Sequence, residues 1–281
     1  MAGFFGLFNY EKEGPGIAKD APKKKTFIVF FETFFRNFWK FITVNIVYNL
    51  ISIPIFTNGL ASAGITNVTR NIARDKHSFG LADFFETIKK NWKQSLIIGI
   101  LNTIIYAVMI FDGWFFYNQK EGNFATICLG ITFSLLIMFT MMNYYIWTLI
   151  ITFNFKTKQI YMNSFKFVFV NFKNNLICFF SIALVYGINI ALFFALSKYW
   201  LYVLLIEILL YFLTFPAFKF LLIQFCAFPA IKKFIIDPYY KEHPEDDIEK
   251  RRNLGIEVEV KKPQPTDGEE GEEDSENVFT D

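Results

Sequence analysis

The residues of this chain best suited to chemistry are polar side chains set inside long apolar runs. Glu207 stands in the middle of LYVLLIEILLYFL, and Asn45, Asn49, Asn102, Asn143 and Asn189 are spread over four other apolar runs. An acidic side chain at the centre of an apolar helix costs roughly 2.5 kcal/mol or more on insertion scales, so it must face protein, water or a partner, or keep its proton. Two roles fit Glu207: an ion or proton site, or a neutral acid hydrogen-bonded to a neighbouring helix. The asparagines can serve either role, as interhelical bonds of about 0.6 to 2 kcal/mol each or as ligands of a polar solute. Asp112, beside Trp114 at the end of its run, reads as a solvated interfacial residue.

Other chemistries find little in the residues to support them. The two histidines, His77 and His243, lie in polar segments, with no cysteine or carboxylate spacing that would build a metal site around them. Nucleophile-elbow, zinc-protease and phosphate-loop patterns do not occur. Cys128, Cys178 and Cys226 all fall in apolar runs and read as small hydrophobes rather than a disulfide framework. The expectation is a protein that is not an enzyme, with no cofactor, metal or nucleic acid, whose first partner is the lipid bilayer.

These side chains need helices that cross a membrane to position them. Of 281 residues 53% are hydrophobic and only 19% charged, and 38 are Phe, a balance that points to lipid rather than water. Runs at 38–56, 95–117, 124–153, 176–197 and 199–231 are each near the roughly 20 residues that a helix needs to cross a hydrocarbon core of about 30 Å. Pro216 and Pro229 make the end of the fifth run doubtful as helix.

Orientation follows from Lys and Arg. Lys12, Lys19, Lys23, Lys24, Lys25 and Arg36 precede the first run, and Arg70, Arg74, Lys76, Lys89, Lys90 and Lys93 follow it. Lys156, Lys158, Lys166 and Lys173 separate the third and fourth, whereas the other two connections hold one each, Lys120 and Lys198. Rich segments belong in the cytoplasm, so the chain must return between the first two of them. Only PIFTNGLASAGITNVTRNIAR is there to do it: Pro54 breaks the first helix, Thr57 or Asn58 caps a second, and small residues let that helix pack closely against others. This gives six crossings with both termini cytoplasmic; the alternative is a hairpin that never reaches the far side, leaving five.

Three segments align without gaps: FETFFRNFWKF from Phe31, FETIKKNWKQS from Phe85 and FKFVFVNFKNN from Phe165. Phe31, Phe34 and Phe38 share one register with Phe85, Ile88 and Trp92, and with Phe165, Val168 and Phe172. Apolar residues at i, i+3 and i+7 describe one helix face, so each copy is expected to be an interfacial amphipathic helix. Asn37, Asn91 and Asn171 occupy the same place in each, at an elbow where an amide side chain can cap freed backbone groups. The architecture expected is all-α, a polytopic transmembrane bundle of five to six spans built as three units of interfacial helix plus membrane hairpin. It occupies residues 27–236, after an N-terminal aromatic patch and basic connector at 1–26 and before an acidic tail at 237–281. That tail has 16 Asp or Glu against 6 Lys or Arg, and its stretch DGEEGEEDSE, with no apolar residues to bury, predicts disorder.

GFFGLFNYEKEGPG, FFETFFRNFWKFITVNIVYNLISIPIFTNGLASAG and DFFETIKKNWKQS resemble the YesL-like family of bacterial membrane proteins, over roughly residues 1–235. The resemblance implies a place in the cytoplasmic membrane of a Gram-positive bacterium and an association with carbohydrate uptake and utilisation, but brings no catalytic residues with it. Two functions remain open: an accessory or regulatory component bound to a carbohydrate transport system or another membrane protein, or a small transporter or channel using Glu207 and the asparagines. A wide polar cavity reaching the midplane would favour the second, and a dry bundle with a lipid-facing or flat exposed groove the first.

Overall fold

The computed structural model describes residues 25–119 and 123–242, and every regular element among them is a helix. The N-terminal aromatic patch, Lys120, His243 and most of the acidic tail lie outside the described residues. The chain divides between Lys232 and Lys233. The first unit holds α1 (Thr26–Arg36), α2 (Phe38–Ser52), α3 (Asn58–Ala73), α4 (Leu81–Asn118), α5 (Asn123–Thr152), α6 (Thr157–Val170), α7 (Phe172–Ala195) and α8 (Trp200–Ile231). Beyond it come a π-helical turn ending at Ile236 and the short α9 (Asp237–Glu242).

Four helices, α4, α5, α7 and the one beginning at Trp200, are long and apolar enough to cross a membrane. In the most apolar stretch of each, only 6% to 17% of the residues are buried inside the protein. Helix α3 is the reverse. It is the least apolar of the long elements, yet Gly59, Ala61, Ser62, Ala63, Gly64, Ile65, Thr66, Val68, Thr69 and Ile72 are all buried, and it packs against α2, α4, α5 and α8. Its small residues make this possible. A Cβ on Gly59 would lie 2.7 Å from the Gly99 Cα, and one on Gly99 would lie 2.6 Å from the Gly59 Cα, so α3 and α4 meet backbone to backbone there. Low hydropathy in α3 thus reflects protein neighbours in place of lipid.

The start of α3 agrees in position with the sequence reading but not in chemistry. Pro54 is extended, a 3-10 turn follows at Ile55–Thr57, and α3 begins at Asn58. No side chain caps it: the Thr57 hydroxyl turns back onto the carbonyls of Ile51 and Pro54, closing the end of α2. At its other end Asp75, with φ of 51°, stops the helix in a left-handed conformation and pairs with Arg36 at 2.6 Å.

Two elbows form and one does not. Asn37 (φ −107°, ψ 16°) and Asn171 (φ −113°, ψ 31°) separate α1 from α2 and α6 from α7 with nearly the same backbone. Asn91 lies inside α4, which runs unbroken through the expected bend. Its amide donates to the Thr87 carbonyl at 3.1 Å, as that of Asn37 does to Thr33 at 3.0 Å, so the side chain supports the same turn whether or not the helix bends there. The buried face also differs from the expected one. Phe34 and Val168 of the expected face are buried, but Phe85 and Phe165 are exposed, and the other residues turned inward stand one place earlier: Phe30 and Thr33 in α1, Phe84 and Thr87 in α4, Ser164 and Phe167 in α6. Periodicity fixes the spacing of a face, whereas the neighbours to be covered fix its phase.

Candidate functional site

Each asparagine read from the sequence lies where a helix has backbone or side-chain polarity to satisfy. Asn45, fully buried on α2, donates to the Leu213 carbonyl and accepts from the Ala217 N–H, both at 2.7 Å. In an unbroken helix those two groups would bond to each other. Asn49, one turn on, donates to the Phe212 carbonyl at 2.9 Å, the group left without a donor because Pro216 has no N–H. Two amides on α2 therefore repair the helical ladder that Pro216 opens in α8. This is how α8 continues through Pro216; it also runs on through Pro229 to Ile231, where the sequence left its last turns in doubt.

Asn102 and Asn143 come together. Asn102 donates to the Asn143 Oδ1 at 2.8 Å and accepts from the Tyr161 hydroxyl at 2.7 Å. Burial pushes the Tyr161 hydroxyl up to about 12, so it stays a proton donor to that amide at neutral pH. Asn143 reaches the Tyr106 hydroxyl at 3.3 Å, and Tyr106 reaches Thr140 at 3.4 Å. Asn102, Asn143, Tyr106 and Thr140 line a cavity of about 290 Å³ between the helices, closed further by Tyr48, Asn58 and Ser62. Among the described residues its one charged side chain is Lys219 of α8, beside the hydroxyls of Thr103, Tyr144 and Tyr186. Among the described residues no hydrogen bond or ion pair reaches Lys219, and its ammonium stands 5.3 Å from the centre of the Phe220 ring. Sequence reasoning missed Lys219, although a lysine within FPAFKFLL, three residues after a mid-helix proline, is as anomalous in an apolar run as Glu207.

Glu207 and Asn189 lie elsewhere. Both line an apolar crevice of about 890 Å³ with Phe31, Phe34, Asn49 and residues of α7 and α8. Asn189 is occupied within α7, donating to Val185 at 2.6 Å, and the buried Oε1 of Glu207 has no hydrogen-bond partner. The set read from the sequence as a single intramembrane site is therefore three: the ladder repair by Asn45 and Asn49, the cavity of Asn102 and Asn143, and the crevice of Asn189 and Glu207.

A fourth knot fastens the last elbow. Asn171 donates to the Tyr145 hydroxyl (2.9 Å) and the Cys226 carbonyl (3.1 Å); Tyr145 in turn donates to Asn175 (2.6 Å), whose amide holds the carbonyls of Phe167 and Val168 at 3.1 Å. Four helices, α5, α6, α7 and α8, meet there. Polar groups so completely matched to one another have no spare capacity for a ligand, which separates this knot from the cavity.

The stretch from α2 through most of α4 also has relatives by sequence. Residues 41–113 match the family model described as "Protein of unknown function, DUF624". That family is the YesL-like one. No curated protein and no solved structure matches the chain. The matched segment contains Asn45 and Asn49, all of α3, the Gly59–Gly99 contact and Asn102, so it supplies one wall of the cavity and both amides of the ladder repair. Asn143, Lys219 and Glu207 lie outside it.

Proposed function

We propose that the chain is an integral membrane protein that takes a small polar solute into the cavity between α2, α3, α4, α5, α7 and α8 and carries it across the bilayer, within the carbohydrate uptake that the YesL-like resemblance implies. The observation that carries this reading is the cavity itself. A bundle that only scaffolds other proteins would fill its centre with apolar side chains, whereas here amide, hydroxyl and ammonium groups converge on about 290 Å³ of free space, close to the lower end of small-ligand pockets. The helix beside it is interrupted at Pro216 and repaired by side chains from a neighbour, an arrangement suited to a helix that bends around a solute.

The three-unit architecture belongs to the same proposal. Burial falls in register across the copies: Phe30, Phe84 and Ser164; Thr33, Thr87 and Phe167; Phe41, Ser95 and Asn175; Val44, Ile98 and Cys178 are all buried. Helices α2 and α3, of 15 and 16 residues, span about 22 and 24 Å. The turn between them exposes Ile53, Ile55 and Phe56. Such a turn belongs in lipid, so the hairpin returns to the basic side with its tip in the far leaflet, and both ends of the chain are cytoplasmic.

Uptake into liposomes containing the purified full chain, measured for monosaccharides, polyols and their acids, tests the transport reading. Uptake of one of them that Asn102→Leu abolishes, in protein that still folds, is the expected result; leakage equal to that of empty liposomes for every compound counts against it. The accessory reading is favoured by a different observation, the apolar crevice with the unpartnered Glu207. Affinity purification from native membranes with intact transport and no stoichiometric partner would remove that reading.

A further inference from the structure

The Lys219 ammonium has no counter-charge among the residues around it. It stands about 20 Å along α8 from Lys232, counted over 13 residues, in an apolar run where a lone ammonium is costly. A lysine near a helix end relieves that cost by extending to the headgroups. Lys219 instead lines the cavity, whose wall contains no Asp or Glu. Glu207, the nearest acid in α8 by sequence, lines the other crevice, which Lys219 does not.

The neutral groups facing the ammonium are of two kinds. Asn102 is held firmly, at 2.7 and 2.8 Å. The contacts of Tyr106 with Asn143 and Thr140, and of Ser62 with Asn58, run from 3.3 to 3.5 Å. Bonds that long are weak, so the Tyr106 and Ser62 hydroxyls can turn to a ligand at little cost, whereas Asn143 is held like Asn102, by bonds to Asn102 at 2.8 Å and to the Phe139 carbonyl at 2.9 Å. One unpaired cation, several loosely engaged neutral donors and acceptors, and room for a metabolite describe a receptor for an anion that also carries hydroxyls.

We infer that the cavity takes a small hydroxylated carboxylate, its charge paired with the Lys219 ammonium and its hydroxyls with Tyr106 and Ser62. This rests on the solute-binding reading above and narrows it to a class. A carboxylate would be held by a charge-assisted bond where the structure has an uncompensated charge. A neutral sugar would leave that charge unpaired.

The test uses the full chain in phosphatidylcholine nanodiscs, with thermal stability and binding measured for lactate, glycerate and gluconate against the neutral analogues glycerol and glucose at equal ionic strength. At least one carboxylate is expected to bind about 10-fold or more tightly than its neutral analogue, the worth of one hydrogen bond to a charged group. Lys219→Gln should erase that preference and, without ligand, melt no lower than the wild type, because it removes a half-buried unpaired charge. Equal binding of glucose and gluconate, unchanged in Lys219→Gln, would overturn the anion assignment and leave the solute-binding reading standing. No binding by any of the five compounds would overturn both. Discs containing phosphatidylglycerol provide the remaining arm: stabilisation by that lipid, lost in Lys219→Gln, with no response to soluble carboxylates, would show a headgroup as the source of the anion and overturn the small-solute assignment.

Discussion

Replacing Asn49 by Leu should destabilise the protein only while Pro216 is present. The Asn49 amide donates to the Phe212 carbonyl at 2.9 Å, and that carbonyl has no helical donor because residue 216 is proline. Its second bond, to the Asn45 carbonyl at 2.9 Å within α2, contributes little, since that carbonyl also has its own helical partner. Losing the bond to Phe212 leaves a main-chain acceptor inside the protein unsatisfied, at a cost of about 1 to 3 kcal/mol; bonds between membrane helices measure about 0.6 on average and up to about 1.7. An effect of about 1 to 2 kcal/mol is therefore expected. Pro216→Ala restores an N–H to position 216, which can bond Phe212 directly, so in that background Asn49→Leu should cost almost nothing. A double-mutant cycle measured by unfolding in mixed micelles, with tryptophan fluorescence as the signal, should give a coupling of about 1 kcal/mol or more. Additive effects, with coupling below about 0.3 kcal/mol, would refute the ladder-repair account.

Three further outcomes follow from the geometry. Gly59→Ala should cost about 1 to 3 kcal/mol by forcing α3 from α4, whereas Gly130→Ala, with nothing within 4 Å of the added carbon, should be neutral or stabilising by up to about 1 kcal/mol; equal effects on thermal unfolding would contradict the close contact. Cysteine at His77 should resist an impermeant thiol reagent applied outside and cysteine at Asn118 should react, while one at Phe56 should resist from both sides if the hairpin tip lies in lipid; labelling of the His77 position would invert the topology. Glu207→Gln should leave uptake through the cavity intact, because the acid lines a separate crevice, and loss of transport with normal assembly would move the solute path to that side.

The sequence by itself determined the class of this protein and much of its plan. Long apolar runs require lipid, Pro54 and the small residues after it require a tight hairpin, and Asn37 and Asn171 mark turns, because all three signals act through local backbone chemistry and transfer energy; Asn91, in the same register, lies inside an unbroken helix. It also marked Asn45, Asn49, Asn102, Asn143, Asn189 and Glu207 as costly in an apolar setting. What each does was decided by tertiary structure, since the partner that offsets the cost of a polar group is supplied by another helix. Asn45 meets Leu213 and Ala217 from 168 and 172 residues away, and no spacing along α2 announces that pairing. The phase of the amphipathic helices was hidden for the same reason: nothing local tells Phe30 from Phe31. Lys219 was legible as an anomaly, but that it faces a cavity without a carboxylate follows only from how α8 packs against its neighbours.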